Sequence, residues 1–283
     1  MEVRVAASFG FCKGVRQAFA LAERSFELGG PVYFLGELVH NHDAMEMFRA
    51  RGARIVENPE EIPSGAVVVT RSHGIPKDVQ EELLRKNATI VDTTCPKVKR
   101  VQVLARRLEE EGYRLVVFGK ASHPEVQALL SVLKKQAQVV ATPEEWQKAF
   151  AVDHQGPFAV LAQTTFPSVL LQQFENWVRE QGLLGVRIVH TLCDETEKRQ
   201  RELEQNLEQN PGDVVIVVGG KHSANTRSLF VLAERRGVPV FWVENAAELR
   251  SLSLPKRASF FITSGTSTPD WVVQEVVTYL QSL

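Results

Sequence analysis

Cysteine is scarce in this chain: its 283 residues carry three, Cys12, Cys95 and Cys193. An odd count, with the closest pair 83 residues apart (12 to 95), argues against a disulfide framework and leaves buried thiols or metal ligands. Excess charge of either sign is also lacking. The 33 Lys and Arg and 34 Asp and Glu give a formal net charge of −1, which argues against electrostatic binding of nucleic acid or a membrane surface. No apolar run approaches the ~20 residues of a membrane-spanning helix. No signal-peptide layout precedes the strand pattern that begins at Val3, so a cytoplasmic protein is expected. With 44% apolar and 24% charged residues, the chain has the composition of an ordered protein with a sizeable core in two or three domains.

The three cysteines share a setting: Gly10-Phe11-Cys12-Lys13-Gly14-Val15, Asp92-Thr93-Thr94-Cys95-Pro96-Lys97 and Thr191-Leu192-Cys193-Asp194-Glu195. Each follows a β-branched run (3–7, 88–91, 186–189) and precedes helical spacing, so each thiol is expected where a strand ends and a helix begins. The first turn of a helix carries unpaired N–H groups and the positive end of the dipole, which favour a thiolate or an anionic cluster. Pro96 suits the first helical position, and Gly10 and Gly14 let a bulky inorganic group approach the backbone.

Helical patterns (15–28, 43–51, 77–86, 98–111, 168–181, 196–209, 271–280) alternate with short apolar runs (32–35, 54–56, 66–70, 113–118, 158–161, 214–218, 259–262). Each cysteine is followed at a near-constant interval by a polar strand end: 28 residues (12 to 40), 28 (95 to 123) and 30 (193 to 223). A second polar strand end follows after 33 (40 to 73), 41 (123 to 164) and 44 (223 to 267). This predicts an α/β protein of three similar units with mostly parallel sheets, arranged with pseudo-threefold symmetry around a central iron–sulfur site. The units run over 13–94, 95–192 and 193–283, and the third, which lacks a last strand, is completed by the N-terminal residues 1–12. Parallel sheets bind ligands at the carboxyl ends of their strands, where all of these residues fall.

Three converging thiolates without a fourth point to a cubane cluster with one iron left unbound by protein. The plain alternative for any one cysteine is a buried small residue, and a zinc site also fits the count, although closed zinc sites use locally paired cysteines. The strand ends offer His40, His73, His123, Thr164, Thr165, Ser223, Asn225 and Ser267. These donors suit an oxygen-rich anion such as a diphosphate. Taken singly, the histidines read equally as structural residues, and Ser or Thr as helix caps. Glu125 is the carboxylate placed among them for proton delivery, whereas Asp194 and Glu195 read as favourable charge at a helix start. The charged stretches 106–111 and 195–208 read as solvated helix faces. Lys221, after two glycines, lacks the P-loop frame.

In order along the chain, G-F-C-x-G-V at 10–15, V-H-N at 39–41, S-H-G at 72–74, T-C-P at 94–96, H-P-E-V at 123–126, Q-T-T at 163–165, K-R-Q at 198–200, S-x-N at 223–225 and P-D at 269–270 resemble the LytB/IspH family of 4-hydroxy-3-methylbut-2-enyl diphosphate reductases. The resemblance spans nearly the whole chain. It implies reductive removal of an allylic hydroxyl to give isopentenyl and dimethylallyl diphosphates, the last step of the methylerythritol phosphate route. By motif it implies one [4Fe-4S] cluster on Cys12, Cys95 and Cys193. It implies diphosphate contacts from His40, His73, His123, Ser223, Asn225 and Ser267, with Thr164 on the substrate hydroxyl and Glu125 relaying protons. A ferredoxin- or flavodoxin-type electron donor and a monomer or homodimer are expected. Ala224, Glu195 and Ser122 depart from the family pattern, Ala224 at a second serine. A quinolinate synthase-type dehydratase or synthase, needing no external electrons, and a non-catalytic redox sensor or metal-binding regulator are the competing readings.

Overall fold

Apolar runs become strands and the amphipathic stretches between them become helices in the computed structural model, which describes residues 2–39, 41–151, 157–255 and 258–283. In chain order the first elements are β1 (Val3–Val5), α1 (Lys13–Arg24), β2 (Val32–Leu35), α2 (His42–Ala50), β3 (Arg54–Val56), β4 (Val67–Val69), α3 (Lys77–Arg85) and β5 (Thr89–Val91). The middle of the chain adds α4 (Pro96–Glu110), β6 (Arg114–Phe118), α5 (Pro124–Ser131), β7 (Gln138–Val140), α6 (Pro143–Ala151), β8 (Phe158–Ala162), α7 (Ser168–Glu180) and β9 (Val186–Ile188). The last third adds α8 (Asp194–Gln209), β10 (Val214–Val218), α9 (Ala224–Arg235), β11 (Val240–Val243), α10 (Ala246–Arg250), β12 (Phe260–Ser264) and α11 (Asp270–Gln281).

These strands form three four-stranded sheets with one plan, β5-β4-β2-β3, β9-β8-β6-β7 and β1-β12-β10-β11. The strand leading to a cysteine lies at one edge of each sheet. The two edge pairs β4/β5 and β8/β9 are parallel. In the third sheet β1 takes this edge place, parallel to β12 with Val3 opposite Phe260, so the N-terminal strand supplies what the C-terminal third lacks.

Parallel sheets covered on both faces need strands that are apolar throughout rather than alternating. β10 shows why: Val214, Ile216 and Val218 pack with Val272, Val273, Val276 and Leu280 of α11, whereas Val215 and Val217 pack with Leu203, Leu207 and Leu229 from α8 and α9. β8 is divided the same way, with Phe158 and Val160 against Trp146, Phe150 and Phe174 and Ala159 and Leu161 against Val101, Ala105 and Val126. Truncating one of these buried branched side chains to alanine costs about 2–4 kcal/mol.

By packing, the chain separates into two bodies. The first comprises Met1–Glu23, Glu37–Ile55 and Asp194–Leu283, and the second Arg24–Gly36 and Val56–Cys193. The first contains the sheet β1-β12-β10-β11 with α1 and α2 added, and Phe19 of α1 lies 4.8 Å from the ring of Phe48 and 5.8 Å from that of Trp271. The second contains β2, β4 and β5 and the whole sheet β9-β8-β6-β7. Two charged side chains in stretches read as solvated helix faces are buried, Glu109 and Arg199. The Glu109 carboxylate accepts the backbone N–H groups of Lys134 and Lys135. No helix among the described residues is long and apolar enough to cross a membrane.

Candidate active site

The three cysteines are held by one recurring device. Each backbone N–H donates to a carbonyl just past the end of the neighbouring strand: Cys95 to Ser72 at 2.9 Å, Cys193 to Thr164 at 2.7 Å and Cys12 to Thr266 at 3.1 Å. Two residues earlier on both chains a second bond clamps the same pair. The Thr93 hydroxyl donates to the Thr70 carbonyl at 2.5 Å and the Thr191 hydroxyl to the Ala162 carbonyl at 2.6 Å. In the third sheet the Gly10 N–H donates to Ser264 Oγ at 3.0 Å.

Each clamp leaves its cysteine at a helix start. Cys95 caps α4, with Pro96 in the first turn, and Cys12 and Cys193 directly precede α1 and α8. All three thiols are partly exposed and outside any disulfide. Positive charge adds to the helix ends. The Val15 N–H approaches Cys12 Sγ at 3.5 Å, and the Lys97 ammonium, two residues beyond Cys95, lies 3.7 Å from Cys193 Sγ.

In the second body, α5 begins with His123 as its cap, and the His123 Nδ1 accepts the Glu125 N–H at 3.2 Å. With Nδ1 accepting, the neutral imidazole carries its proton on Nε2 and is a donor there. The His73 ring packs edge-on to it at 5.1 Å. Glu125 is 3% exposed, and its two oxygens accept the Thr164 N–H at 2.7 Å and the Thr164 hydroxyl at 2.8 Å. Burial pushes the Glu125 carboxyl above the ordinary carboxylate range, against the opposing pull of the Thr164 bonds. A buried acid joined to a hydroxyl keeps its proton to higher pH than an exposed carboxyl does, and the hydroxyl lies within reach of that proton.

In the first body, Ser223 caps α9 by accepting the Thr226 N–H at 3.3 Å. Asn225, in the first turn of the same helix, is 6% exposed, and neither its amide nitrogen nor its amide oxygen has a hydrogen-bond partner among the described residues. An unsatisfied amide buried at a helix start has donor and acceptor capacity that a polar ligand could use. Ser267 lies half-buried in the turn between β12 and α11. Asn41 caps α2, accepting the Ala44 N–H at 3.0 Å, and His40 lies outside the described residues.

The second body thus brings His73 beside His123 and Glu125 onto Thr164, and the first places Ser223 and Asn225 in one helical turn. Among the described residues no group of three or more His, Cys, Asp or Glu side chains is gathered tightly enough to hold a metal ion. Two residues without a role in the sequence reading enter the geometry. Lys97 follows Cys95 in a C-P-K run whose spacing gives no sign of the thiol it reaches. Arg199 lies in the K-R-Q run, and only its burial separates it from its charged neighbours.

Comparison with known proteins identifies the family. The profile of the family described as LytB protein matches residues 3–281. The chain is 36% identical over 284 residues to the 4-hydroxy-3-methylbut-2-enyl diphosphate reductase of Oleidesulfovibrio alaskensis and 33% identical over 284 residues to that of Clostridioides difficile, covering all of each. It is similar, at TM-score 0.75 and 33% identity over the whole of both chains, to a solved (E)-4-hydroxy-3-methyl-but-2-enyl diphosphate reductase, described as the terminal enzyme of the non-mevalonate pathway. A profile match from the first strand to the last helix, in a chain whose three sheets each present a cysteine at a helix start, places the protein in the LytB family.

Proposed function

We propose that the chain reduces (E)-4-hydroxy-3-methylbut-2-enyl diphosphate to isopentenyl and dimethylallyl diphosphates. The observation that carries this reading is the Glu125–Thr164 pair, a buried acid whose raised affinity for a proton and hydroxyl partner suit protonation of a leaving allylic hydroxyl. The relatives' full-length likeness supports the same substrate.

Cys12, Cys95 and Cys193 would hold one [4Fe-4S] cluster. Their chemistry fits it: three thiols outside any disulfide at helix starts, each fixed by the same backbone bond, with Lys97 offsetting negative charge at Cys193. When bound, such a cluster supplies the two electrons and, at the iron left without a protein ligand, a Lewis-acid position for an oxygen atom.

The chain's own groups do the rest. The Asn225 amide, Ser223 and the N–H groups at the start of α9, with Ser267, bind the diphosphate, and His73, His123 and His40 donate to its oxygens. Thr164 orients the hydroxyl of the substrate. Protonated Glu125 gives its proton to the Thr164 oxygen as Thr164 gives its own to the departing hydroxyl, which leaves as water. Each turnover consumes two electrons and two protons: one proton leaves in the water, and the second forms the new C–H bond at one end of the reduced allyl group, which gives the two isomeric products. The electrons come from a ferredoxin- or flavodoxin-type donor in the cytoplasm, and the protein works as a monomer or homodimer. The repeat boundaries 13–94, 95–192 and 193–283, with 1–12 completing the third, delimit the three units of the reading.

Anaerobic purification, iron and sulfide analysis and turnover of the allylic diphosphate with a reducing dye test this. Near four iron and four sulfide per chain, with electron-dependent formation of the two products, is the expected result. Zinc in place of iron, or turnover without electrons, sinks it in favour of the regulator or the dehydratase.

A further inference from the structure

The strand-end clamp is built differently at one of the three cysteines. Before Cys95 and Cys193 a threonine hydroxyl joins the two chains. Before Cys12 the equivalent residue is Gly10, and it cannot be a threonine. Its φ is +73°, and a Cβ there would fall 2.1 Å from the Asp270 carboxylate. The Ser264 hydroxyl still accepts the Gly10 N–H, and the bond that a hydroxyl at residue 10 would donate is replaced by Arg199, which reaches across from α8. One guanidinium nitrogen donates to the Ser264 carbonyl at 2.7 Å, the Ser264 hydroxyl at 3.1 Å and the Gly265 carbonyl at 3.1 Å. The other donates to the Gly10 carbonyl at 2.7 Å.

This substitution changes the electrostatics as well as the geometry. A threonine clamp is neutral, whereas Arg199 is a cation 1% exposed, and the four groups accepting its bonds are neutral. Burying a charge with no bonded counter-ion among the described residues is costly, and a clamp does not require it, since a neutral hydroxyl serves at the other two cysteines. The negative groups that act on Arg199 without bonding it include Cys12, Glu195, Glu202 and Asp270. Glu202 holds the same loop, accepting the Ser8 N–H at 2.8 Å and the Ser8 hydroxyl at 2.7 Å.

We propose that Arg199 is a positioning residue for Cys12 whose buried charge also raises the reduction potential of the cluster that Cys12 helps to hold. The proposal rests on the reading that the three cysteines carry an iron–sulfur cluster. Adding an electron adds negative charge, and a fixed cation beside one ligand loop, shielded from water, favours the reduced state. Of the three clamps, this is the one that bears charge.

The test is a midpoint titration by electron paramagnetic resonance on the anaerobic holoprotein, comparing wild type with Arg199→Met, Arg199→Lys and Glu202→Gln, each with iron and sulfide counted. Arg199→Met is expected to shift the reduced-to-oxidised ratio at fixed potential about tenfold toward oxidised, roughly 59 mV for one electron. Arg199→Lys restores most of the shift, and Glu202→Gln, which removes an opposing negative charge and keeps an acceptor for Ser8, moves it the other way. Glu202→Gln also carries the test should the methionine variant fail to fold. Midpoints unchanged in a loaded Glu202→Gln and in whichever Arg199 variants load overturn the proposal. Equal loss of iron in Met and Lys variants, with no midpoint shift in the remainder, reduces Arg199 to a structural clamp and overturns it too. A wild-type chain without iron and sulfide overturns the cluster reading itself, a result distinct from either.

Discussion

The two bodies carry candidate groups in opposite states. In the second, the polar atoms that matter are bonded to one another: Glu125 to Thr164 through two bonds, and His123 to the backbone N–H of Glu125. In the first, the Asn225 amide is buried with nothing to bond. An internally satisfied acid can be buried at low cost and kept in one geometry, which proton transfer requires. An unsatisfied amide costs about 1–3 kcal/mol that only a ligand returns. The protein therefore keeps the Glu125 carboxyl closed on Thr164 and leaves the Asn225 amide open.

The largest effect that would break this comparison is at Glu125. Glu125→Gln keeps the shape and removes the proton, so turnover should fall about 10²- to 10⁴-fold with iron and sulfide content unchanged. An equal loss of iron would show a structural role instead. Because burial holds this carboxyl above its ordinary range, the protonated acid persists to higher pH than an exposed carboxyl would. Turnover should decline as pH rises through that raised value, and the declining limb should vanish in the glutamine variant.

Stability follows from the same shift. The native state binds this proton more tightly than the unfolded chain, so rising pH removes stability across the interval between the unfolded and folded values. Above that interval Glu125→Gln should melt at a higher temperature than wild type, and below the ordinary carboxylate range the two should melt together.

Asn225 sharpens the contrast with a smaller effect. Asn225→Ala should raise KM about 10- to 100-fold, the equivalent of 1–3 kcal/mol of lost polar contact, while kcat changes little. Thermal unfolding of the free protein should show no loss, because no protein group bonds this amide. A drop in melting temperature matching the loss of affinity would mean that Asn225 supports the fold.

The clamps lie between these cases. Thr93→Val removes the hydroxyl bonded to Thr70 and should cost about 1 kcal/mol, read as an earlier urea midpoint with an unchanged slope. The threonine carbonyl at 70 is left buried without that donor.

The cysteine strand edges, helix starts and common spacing were legible in the sequence because they are local: β-branched runs, Pro96 after Cys95 and glycines around Cys12. The completion of the last sheet by β1 was legible from a strand count alone, since two cysteines end a sheet and the third had none after it. The short edge strands β7 and β11 were not read from their apolar patterns, and partly buried edge strands give a weak signal. Nor did pattern reveal that Glu109 and Arg199 turn inward, because charged residues on a helix look solvated until their acceptors are known. The Arg199 acceptors sit at positions 10, 264 and 265, on two strand ends distant in the sequence from α8.

The pairing of β1 with β12 also sets an order of events during synthesis. Val3 lies opposite Phe260, 257 residues later in the chain (3 to 260). At ~5–20 residues per second, that partner arrives roughly 13–50 s after Val3 itself. Until then Cys12 has no Thr266 carbonyl to anchor it and remains a mobile thiol, while the loops of Cys95 and Cys193 have already met their partners at Ser72 and Thr164. The last of the three cysteines to be fixed is thus the first to be made, and a nascent chain stalled before residue 260 should show Cys12 labelling by a thiol reagent faster than either of the other two.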